Sequence, residues 1–314
     1  MLVTPTTTAD EIAASPALCA AADAFFGAPV LATTDDSSYA RGFPVLYVAQ
    51  GEAAYSFASA PLALASDDAT TCCILVLQSP TCFCLAHVDS PGQVAFLFAH
   101  WQRTLGAVDT RIAVVGGYMD EGDVGAGIIA SIVDAMHAAP ASSSIFLWAT
   151  GQTNTVPGSS PSQPKVRGLL ALPTLDGDAQ LAPIDYAPGA YRGPNFLRRT
   201  TSTPATPLYV LKAEPALECV VGPYRSFWMH SDLPAARMRQ YLAHVRGFSD
   251  AELLQRFSTS PAAEGPKFVA DLKARFDAAG AVLDLSDDER TAILSAEQRY
   301  RWQPSTGHWD LVET

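Results

Sequence analysis

One 22-residue stretch constrains the fold of this chain more than any other. Residues 66–87 read SDDATTCCILVLQSPTCFCLAH and contain four of the six cysteines and one of the six histidines. Two apolar runs on either side of Ser-Pro predict antiparallel strands joined by a tight turn. A turn at Ser79-Pro80 places Cys72 directly opposite His87. Ser-Pro is not a favoured two-residue hairpin turn, so the register could also slip by a residue or more.

Alternation along the two strands separates the cysteines into two groups. Cys72 and His87 share one face with apolar neighbours, whereas Cys73, Cys82 and Cys84 point to the other face. A zinc site needs about four ligands that converge on one point, and no CxxC spacing is present. We therefore predict no metal, and we interpret the second group as small buried apolar residues.

Charge and the distribution of basic residues limit the compartment and the partners. The net charge of −12 disfavours binding to nucleic acid and to anionic membranes. No Lys or Arg precedes Arg41, so we expect no signal or transit peptide. The longest apolar runs are far shorter than a membrane span. These features predict a protein located in the cytoplasm, or in both the cytoplasm and the nucleus. Because these compartments are reducing, we expect its cysteines to stay free.

Strand-like and helix-like segments alternate along the chain. We predict strands at 43–50, 54–58, 71–78, 81–88, 111–118, 144–151, 166–174, 207–213 and 216–224, and helices at 8–26, 91–107, 125–139 and through the last quarter. Ser249 and Glu252 form a capping-box pattern, and Gly280 is placed as a C-cap. Gly116-Gly117 reads as a tight turn. The expected fold is a single α/β (α+β) domain over 1–314, with a mixed or antiparallel sheet layered against helices.

Cys72 and His87 form a polar pair on an otherwise apolar face. A buried cysteine beside a hydrogen-bonded histidine explains this pair as readily as catalysis does. Nucleophilic cysteine chemistry requires a thiolate beside an imidazolium, with a third group that orients the imidazole. The residues just before Cys72 offer candidates for that group, namely Ser66, Asp67, Asp68, Thr70 and Thr71. The same SDD stretch also fits a turn with Asx-type caps.

The motif SDDATTC, with the histidine of LAH, resembles protein N-terminal asparagine amidohydrolases, which deamidate an N-terminal Asn to Asp. Further similar blocks are LYVAQ (46–50), VVGGYMD (114–120), VGPY (221–224), FWMHSD (227–232) and FSTSPAAEGPKFV (257–269). The resemblance covers about residues 43–270. Residues 233–256 form a longer segment than the family pattern suggests and read as a helical insertion. The tail from about 281 shows no resemblance.

The resemblance implies a cysteine enzyme without a cofactor, with the fold of the Cys–His deamidase superfamily. Cys72 would attack the amide carbon of the N-terminal Asn, form a thioester and release ammonia. His87 would transfer the protons and Ser66 would orient the imidazole. The expected partners are proteins and peptides with N-terminal Asn, whose product Asp enters an N-degron pathway of arginylation and degradation.

An enzyme that acts only on N-terminal residues must also bind a free α-ammonium. Asp67 or Asp68 is the candidate for this contact, although both also fit solvated turn acids. Thr71, His230, Ser260 and Glu264 are further candidates for substrate binding. Two other functions stay open, a cysteine deamidase acting on internal Gln or Asn and a non-catalytic module that binds N-terminal Asn. The sequence makes no prediction of the oligomeric state.

Overall fold

The computed structural model describes residues 1–33, 40, 42–174, 178–195, 197, 208–214, 217–222 and 234–312. The strands are β1 Leu31–Thr33, β2 Val45–Tyr47, β3 Glu52–Phe57, β4 Ala63–Ser66, β5 Cys73–Ser79, β6 Cys82–Val88, β7 Thr110–Tyr118, β8 Ser143–Gly151, β9 Leu169–Pro173, β10 Ala179–Tyr186, β11 Tyr209–Glu214, β12 Glu218–Val221, β13 Gln298–Gln303 and β14 His308–Leu311. The helices are α1 Ala9–Ala13, α2 Pro16–Gly27, α3 Pro91–Leu105, α4 Val124–His137, α5 Ala235–Arg246, α6 Asp250–Phe257, α7 Phe268–Asp284 and α8 Asp287–Ser295.

The strands form two mixed sheets. The larger has nine strands in the order β14-β13-β12-β11-β3-β6-β5-β7-β8, and the smaller has five in the order β1-β10-β9-β4-β2. Val76 and Leu85 of the larger sheet share a buried cluster with Leu64 and Leu169 of the smaller one, so the two sheets pack face to face. The opposite face of the larger sheet packs against α3 and α4. The predicted α+β fold, with mixed sheets layered against helices, is confirmed.

The β5–β6 hairpin forms as predicted but in a different register. Its turn lies at Pro80-Thr81, one residue later than predicted, and every strand residue therefore meets a partner two positions further along. Ile74, and not Cys72, faces His87. The predicted direct pairing of Cys72 with His87 is wrong because Ser-Pro is a poor turn pair and the strand continues through Ser79.

A shift of two positions preserves the faces of a strand. Cys73, Cys82 and Cys84 lie in the cluster that packs against α3 and α4, and all three are buried. Cys72 packs at the edge of the cluster between the two sheets. The predicted separation of the cysteines is therefore confirmed, and the three buried thiols contribute to the core as small apolar side chains.

The C-terminal quarter combines confirmed and incorrect predictions. The capping box of α6 is present, since Ser249 accepts from the amide of Glu252 and Glu252 accepts from the amide of Ser249. Gly280 does not end a helix, because α7 continues to Asp284. A Cβ at Gly280 would lie 2.7 Å from Nη2 of Arg246 on α5, so a larger residue at this position would require the Arg246 side chain to move.

The last quarter is also not wholly helical. After α8 the chain forms β13 and β14, which extend the larger sheet beyond β12. The alternation in QRYRWQ, with Tyr300 and Trp302 buried, carries the signal for β13. Residues 233–256, predicted as an insertion, include α5 and most of α6; that they are an insertion relative to the family stays a prediction. Among the described helices, none has both the length and the apolar character required to cross a membrane.

Candidate active site

The candidate site lies where the chain crosses from one sheet to the other. β4 ends at Ser66 in the smaller sheet, and β5 begins at Cys73 in the larger sheet. The connection turns at Asp68, whose φ of 59° lies in the left-handed region, so this segment is not extended. The crossing brings Ser66 against β6, where its Oγ lies 2.8 Å from Nδ1 of His87.

Two glycines of β7 hold the end of this connection in place. The amide of Gly117 donates to the carbonyl of Cys72 at 2.7 Å. Gly116 has a φ of 96°, and a Cβ there would lie 2.7 Å from the Cys72 oxygen and 2.9 Å from the Cβ of Ala69. The interpretation of Gly116-Gly117 as a tight turn is wrong, since both lie inside a strand. Glycine is required at 116 because the Cys72 carbonyl and Ala69 pass so close, and it is favoured at 117 by a φ of 53° and by the nearby Thr150 and Cys73 side chains.

Gly116→Ala is expected to destabilise the protein by roughly 2–4 kcal/mol, because it combines a strained positive φ with a backbone clash. The displaced segment carries Cys72, so catalytic activity should fall with it. Denaturant unfolding and steady-state kinetics measure the two effects. Gly127→Ala is the matched control, since a Cβ at this helical glycine meets nothing within 4 Å. Equal stability of the Gly116→Ala variant and the parent would contradict this account.

His87 is buried with its two ring nitrogens in different surroundings. Nδ1 is hydrogen-bonded to Ser66, whereas Nε2 has no hydrogen-bond partner among the residues that the structure describes. Burial, opposed by the charge of Asp67 and assisted by that of Arg275, lowers the pKa of His87 to about 4. The imidazole is therefore neutral near pH 7. The tautomer that donates Nδ1–H to Ser66 leaves the Nε2 lone pair available as a base.

Cys72 is half-buried and lies one residue before β5, whose first residue, Cys73, pairs with Val88 at the end of β6. Burial raises the pKa of the Cys72 thiol well above its ordinary value, and Asp89, Cys73 and Glu264 raise it further. The Thr71 hydroxyl acts in the opposite direction. The resting site thus contains a neutral thiol and a neutral imidazole, which differs from the thiolate–imidazolium pair expected from the sequence.

Cys72 and His87 line one cleft of about 150 Å³. Its walls come from the 67–72 connection on one side and from residues 257–275 on the other. The lining side chains are Tyr47, Gln50, Asp67, Asp68, Thr70, Thr71, Cys72, His87, Phe257, Ser258, Thr259, Glu264, Phe268, Asp271, Leu272 and Arg275. A thiol, a buried imidazole and several carboxylates therefore line one cleft, which makes it the candidate active site.

A comparison with known protein families agrees with the interpretation of this cleft as an active site. A family model described as protein N-terminal asparagine amidohydrolase matches residues 34–310, which is nearly the whole chain. The chain belongs to the protein N-terminal asparagine amidohydrolase family. The match supports amidohydrolase activity on N-terminal asparagine in general. It also includes the tail beyond 281, which the resemblance of sequence blocks did not reach. A comparison with curated proteins finds no match.

The two acidic residues of the amidohydrolase motif have different environments. Asp67 is buried, and its carboxylate accepts from the Tyr47 hydroxyl at 2.8 Å and from the Tyr186 amide at 3.2 Å. Asp68 is partly exposed, with 27% of its side-chain surface accessible. Lys267 lies between them, with Nζ 2.6 Å from Asp67 Oδ2 and 3.1 Å from Asp68 Oδ1.

Lys267 fills the one group of carboxylates that could otherwise hold a metal ion among the described residues. That group is Asp67, Asp68 and Asp185. Nζ of Lys267 contacts all three, with Asp185 Oδ1 at 2.7 Å. An ammonium among three carboxylates supplies the cation that such a cluster requires. One cation against three carboxylates still leaves the cluster with excess negative charge.

The other residues predicted to bind substrate are Thr71 on the 67–72 connection and Ser260 and Glu264 on the facing segment. Glu264 is half-buried and accepts from the Ser258 hydroxyl. Ser260 is buried and donates to Oγ1 of Thr70 at 2.9 Å, so it supports the connection without lining the cleft. Oγ1 of Thr71 lies 3.1 Å from Oγ1 of Thr259. His230 lies outside the described residues.

Sequence reasoning did not single out several charged residues of the site. Lys267 belongs to the FSTSPAAEGPKFV block and could have been found there. Asp271, Arg275 and Arg192 follow no motif. Arg192 is buried and donates from Nη2 to Oδ1 of Asp271 at 2.7 Å across 79 positions of sequence. No local pattern predicts a pairing at that separation.

Proposed function

We propose that the protein hydrolyses the side-chain amide of an N-terminal asparagine through a thioester on Cys72. The observation that carries this proposal is the hydrogen bonding and the neutral charge of His87 in the cleft that it shares with Cys72. Ser66 fixes Nδ1, and Nε2 stays without a partner among the described residues. An oriented, neutral imidazole that lines the same cleft as a thiol supports the assignment of His87 as the general base and Cys72 as the nucleophile.

In the first half-reaction, Nε2 of His87 takes the proton of the Cys72 thiol as Sγ attacks the amide carbon. Because both groups are neutral at rest, proton transfer accompanies attack and no preformed thiolate is needed. The tetrahedral intermediate then collapses as the imidazolium returns its proton to the amide nitrogen. The carbon–nitrogen bond breaks, ammonia leaves, and a Cys72 thioester remains.

In the second half-reaction, water replaces ammonia. Nε2 of His87 takes a proton from this water, whose oxygen attacks the thioester carbon. Collapse breaks the carbon–sulfur bond, and the thiolate recovers its proton from the imidazolium. The products are an N-terminal aspartate and a regenerated thiol. The Ser66 hydroxyl accepts from Nδ1–H throughout, so it orients the ring and stabilises its charged form.

Asp68 is the proposed contact for the substrate α-ammonium. Asp67 is buried and accepts from Tyr47 and Tyr186 in addition to Lys267, whereas Asp68 shares Lys267 but is partly exposed at the cleft. The excess negative charge of the Lys267 cluster favours a second cation at this position. Recognition of the ammonium would restrict the reaction to N-terminal residues.

Thr71 and Glu264 are the proposed contacts at the amide end of the cleft. Both influence the Cys72 thiol, since Glu264 raises its pKa and Thr71 lowers it. A carboxylate and a hydroxyl beside the nucleophile can accept hydrogen bonds from the amide NH₂ group. Ser260 would keep this end in place through Thr70.

The pH dependence of kcat/KM tests the role of Asp68. Burial, followed by the charge of Asp67, raises the pKa of Asp68 from 3.8 to about 7. The carboxylate needed for the ammonium therefore forms only as the pH rises through about 7. A substrate α-ammonium loses its proton near 7.7–8.0, so kcat/KM should peak within a narrow range of about pH 7–8. Asp68→Asn should lower kcat/KM and move the acid limb toward the pKa of His87, about 4.

Measuring the stability of Asp68→Asn separates the loss of a substrate contact from misfolding. A folded-state pKa above the unfolded value of 3.8 means that ionising Asp68 costs stability between about pH 4 and pH 7. At pH 8 the Asp68→Asn variant should therefore be at least as stable as the parent. The exposed Asp277→Asn on α7 is the matched control and should leave the profile unchanged. An acid limb that stays near pH 7 in Asp68→Asn would contradict the assignment.

Ammonia release from a panel of peptides tests the proposed function. The panel contains an Asn-initiated peptide, its Gln-initiated form, its N-acetylated form and a peptide with internal Asn and Gln. Turnover of the free Asn peptide alone supports the proposal. Turnover of the acetylated or internal substrates indicates a broader cysteine deamidase. Binding of the Asn peptide without ammonia release by reduced, folded protein indicates a non-catalytic binding module.

We also propose that the product enters N-degron-dependent degradation in the cytoplasm or nucleus. This part rests on the family alone, because conversion of N-terminal Asn to Asp creates the residue that arginylation recognises. The half-life of an Asn-initiated reporter in cells with and without the protein tests it. Equal half-lives would contradict it while leaving the enzymatic proposal intact.

A further inference from the structure

Asp271 is a buried carboxylate in the lining of the cleft, and one of its two oxygens has no hydrogen-bond donor among the described residues. Only 8% of the residue surface is accessible. Oδ1 accepts from Nη2 of Arg192 at 2.7 Å, whereas Oδ2 is buried and finds no hydrogen-bond partner within the described part of the chain. A buried carboxylate oxygen without a donor costs free energy, and a ligand that supplies one removes that cost.

A series of contacts connects Asp271 to the two aspartates of the 67–72 connection. Arg192, which binds Asp271, lies with its guanidinium carbon 5.7 Å from the centre of the Tyr47 ring. The Tyr47 hydroxyl in turn donates to Asp67, the neighbour of Asp68. Asp271 is thus connected through Arg192 and Tyr47 to the part of the lining that contains Asp67 and Asp68.

We propose that Oδ2 of Asp271 accepts a hydrogen bond from the substrate α-ammonium, opposite Asp68. This inference rests on the proposed function and adds a second substrate-binding residue to it. The ammonium offers three N–H donors, and carboxylates from two walls of the cleft can each accept one. Asp68 comes from the 67–72 connection and Asp271 from α7, so the ammonium would join the two walls.

A two-sided contact of this kind also explains specificity for the chain terminus. An acetylated or internal asparagine presents a neutral amide in place of the ammonium, with at most one N–H. Such a group leaves at least one buried carboxylate oxygen without a donor, and that penalty adds to the loss of charge attraction. Discrimination against blocked termini then comes from Asp68 and Asp271 together.

The test compares three substrates in the parent and in Asp271→Asn, under single-turnover conditions with excess enzyme. The substrates are the Asn peptide, an analogue whose first residue lacks only the α-amino group, and an analogue with an ester in place of the first peptide bond. Asparagine keeps the size of Asp271 and an acceptor for Arg192, but it can place an N–H where Oδ2 was. The matched control is Asp277→Asn, an exposed aspartate of α7.

Asp271→Asn is expected to lower kcat/KM for the Asn peptide and for the ester by about 10- to 100-fold, the range for a lost hydrogen bond to a charged group. For the analogue without the α-amino group, kcat/KM of Asp271→Asn should equal that of the parent. An equal loss on all three substrates would assign Asp271 a purely structural role. A loss confined to substrates with the first peptide N–H would assign the contact to that group. Either result, or no loss at all, overturns the inference.

Two further measurements keep the result interpretable. If Asp271→Asn does not fold, Asp271→Glu retains the charge opposite Arg192 and displaces the acceptor oxygen, so it should show the same dependence on the substrate amino group. Failure of the parent enzyme to release ammonia from the Asn peptide contradicts the proposed function itself. An active parent with an unaffected Asp271→Asn variant contradicts only the role of Asp271.

Discussion

Cys72→Ser is expected to lower kcat/KM for an Asn-initiated peptide by roughly 10⁴- to 10⁶-fold, the range seen when a nucleophile is lost from an intact site. The substitution changes one atom, so binding of the peptide should be nearly unchanged. A serine hydroxyl is far less acidic than a thiol, and a buried imidazole whose pKa is lowered to about 4 is a weak base for it. Ammonia release measures the rate, and calorimetry measures binding.

The other cysteines provide the control for Cys72. Cys19 is also half-buried but lies on α2, away from the cleft lining, so Cys19→Ser should retain full activity. Cys73, Cys82, Cys84 and Cys219 are all buried in the packed clusters. Activity of Cys72→Ser within tenfold of the parent would show that another group is the nucleophile.

His87→Gln is expected to lower kcat/KM by about 10²- to 10⁴-fold, because glutamine cannot transfer the protons that general acid–base catalysis requires. Glutamine is similar in size and can still hydrogen-bond Ser66, so the fold should persist. The effect should lie mainly in kcat, since Nε2 acts on the reacting groups and not on the ammonium. Steady-state kinetics of the purified variant measure the division between kcat and KM.

A substitution at an exposed histidine is the control for His87→Gln. His244 lies on α5 with its ring against Phe248, and His244→Gln should be fully active.

Because the Cys72 thiol is neutral at rest, its alkylation by iodoacetamide should be slow at pH 7 in both the parent and His87→Gln. A fast, His87-dependent alkylation at pH 7 would instead indicate a preformed thiolate–imidazolium pair.

The faces of the β5–β6 hairpin are predictable from sequence, whereas its register is not. Moving a two-residue turn by one position changes every partner by two, and side chains alternate with a period of two. Cys72 and His87 therefore share a face in either register, but only the structure shows that Ile74 is the residue opposite His87. The predicted shared face is therefore confirmed, whereas the predicted cross-strand pairing is wrong.

The buried charges of the cleft illustrate what local patterns omit. Ser66 was assigned through the resemblance, and its contact with His87 depends on β4 of one sheet packing against β6 of the other. Lys267 reaches Asp67 across 200 positions. The short strand β4, with the sequence ALAS, carries little strand propensity, and its position follows from the packing of the two sheets.

Capture of the acyl-enzyme tests the central claim most directly. The parent enzyme is mixed with the Asn peptide, quenched in acid within the first turnover and measured by intact-protein mass spectrometry, with hydroxylamine added in a parallel reaction. The account predicts a Cys72 adduct with the mass of the peptide less ammonia, and an aspartyl hydroxamate that replaces part of the aspartate product. Turnover to aspartate without an adduct on Cys72, and without hydroxamate at any hydroxylamine concentration, would contradict the thioester mechanism.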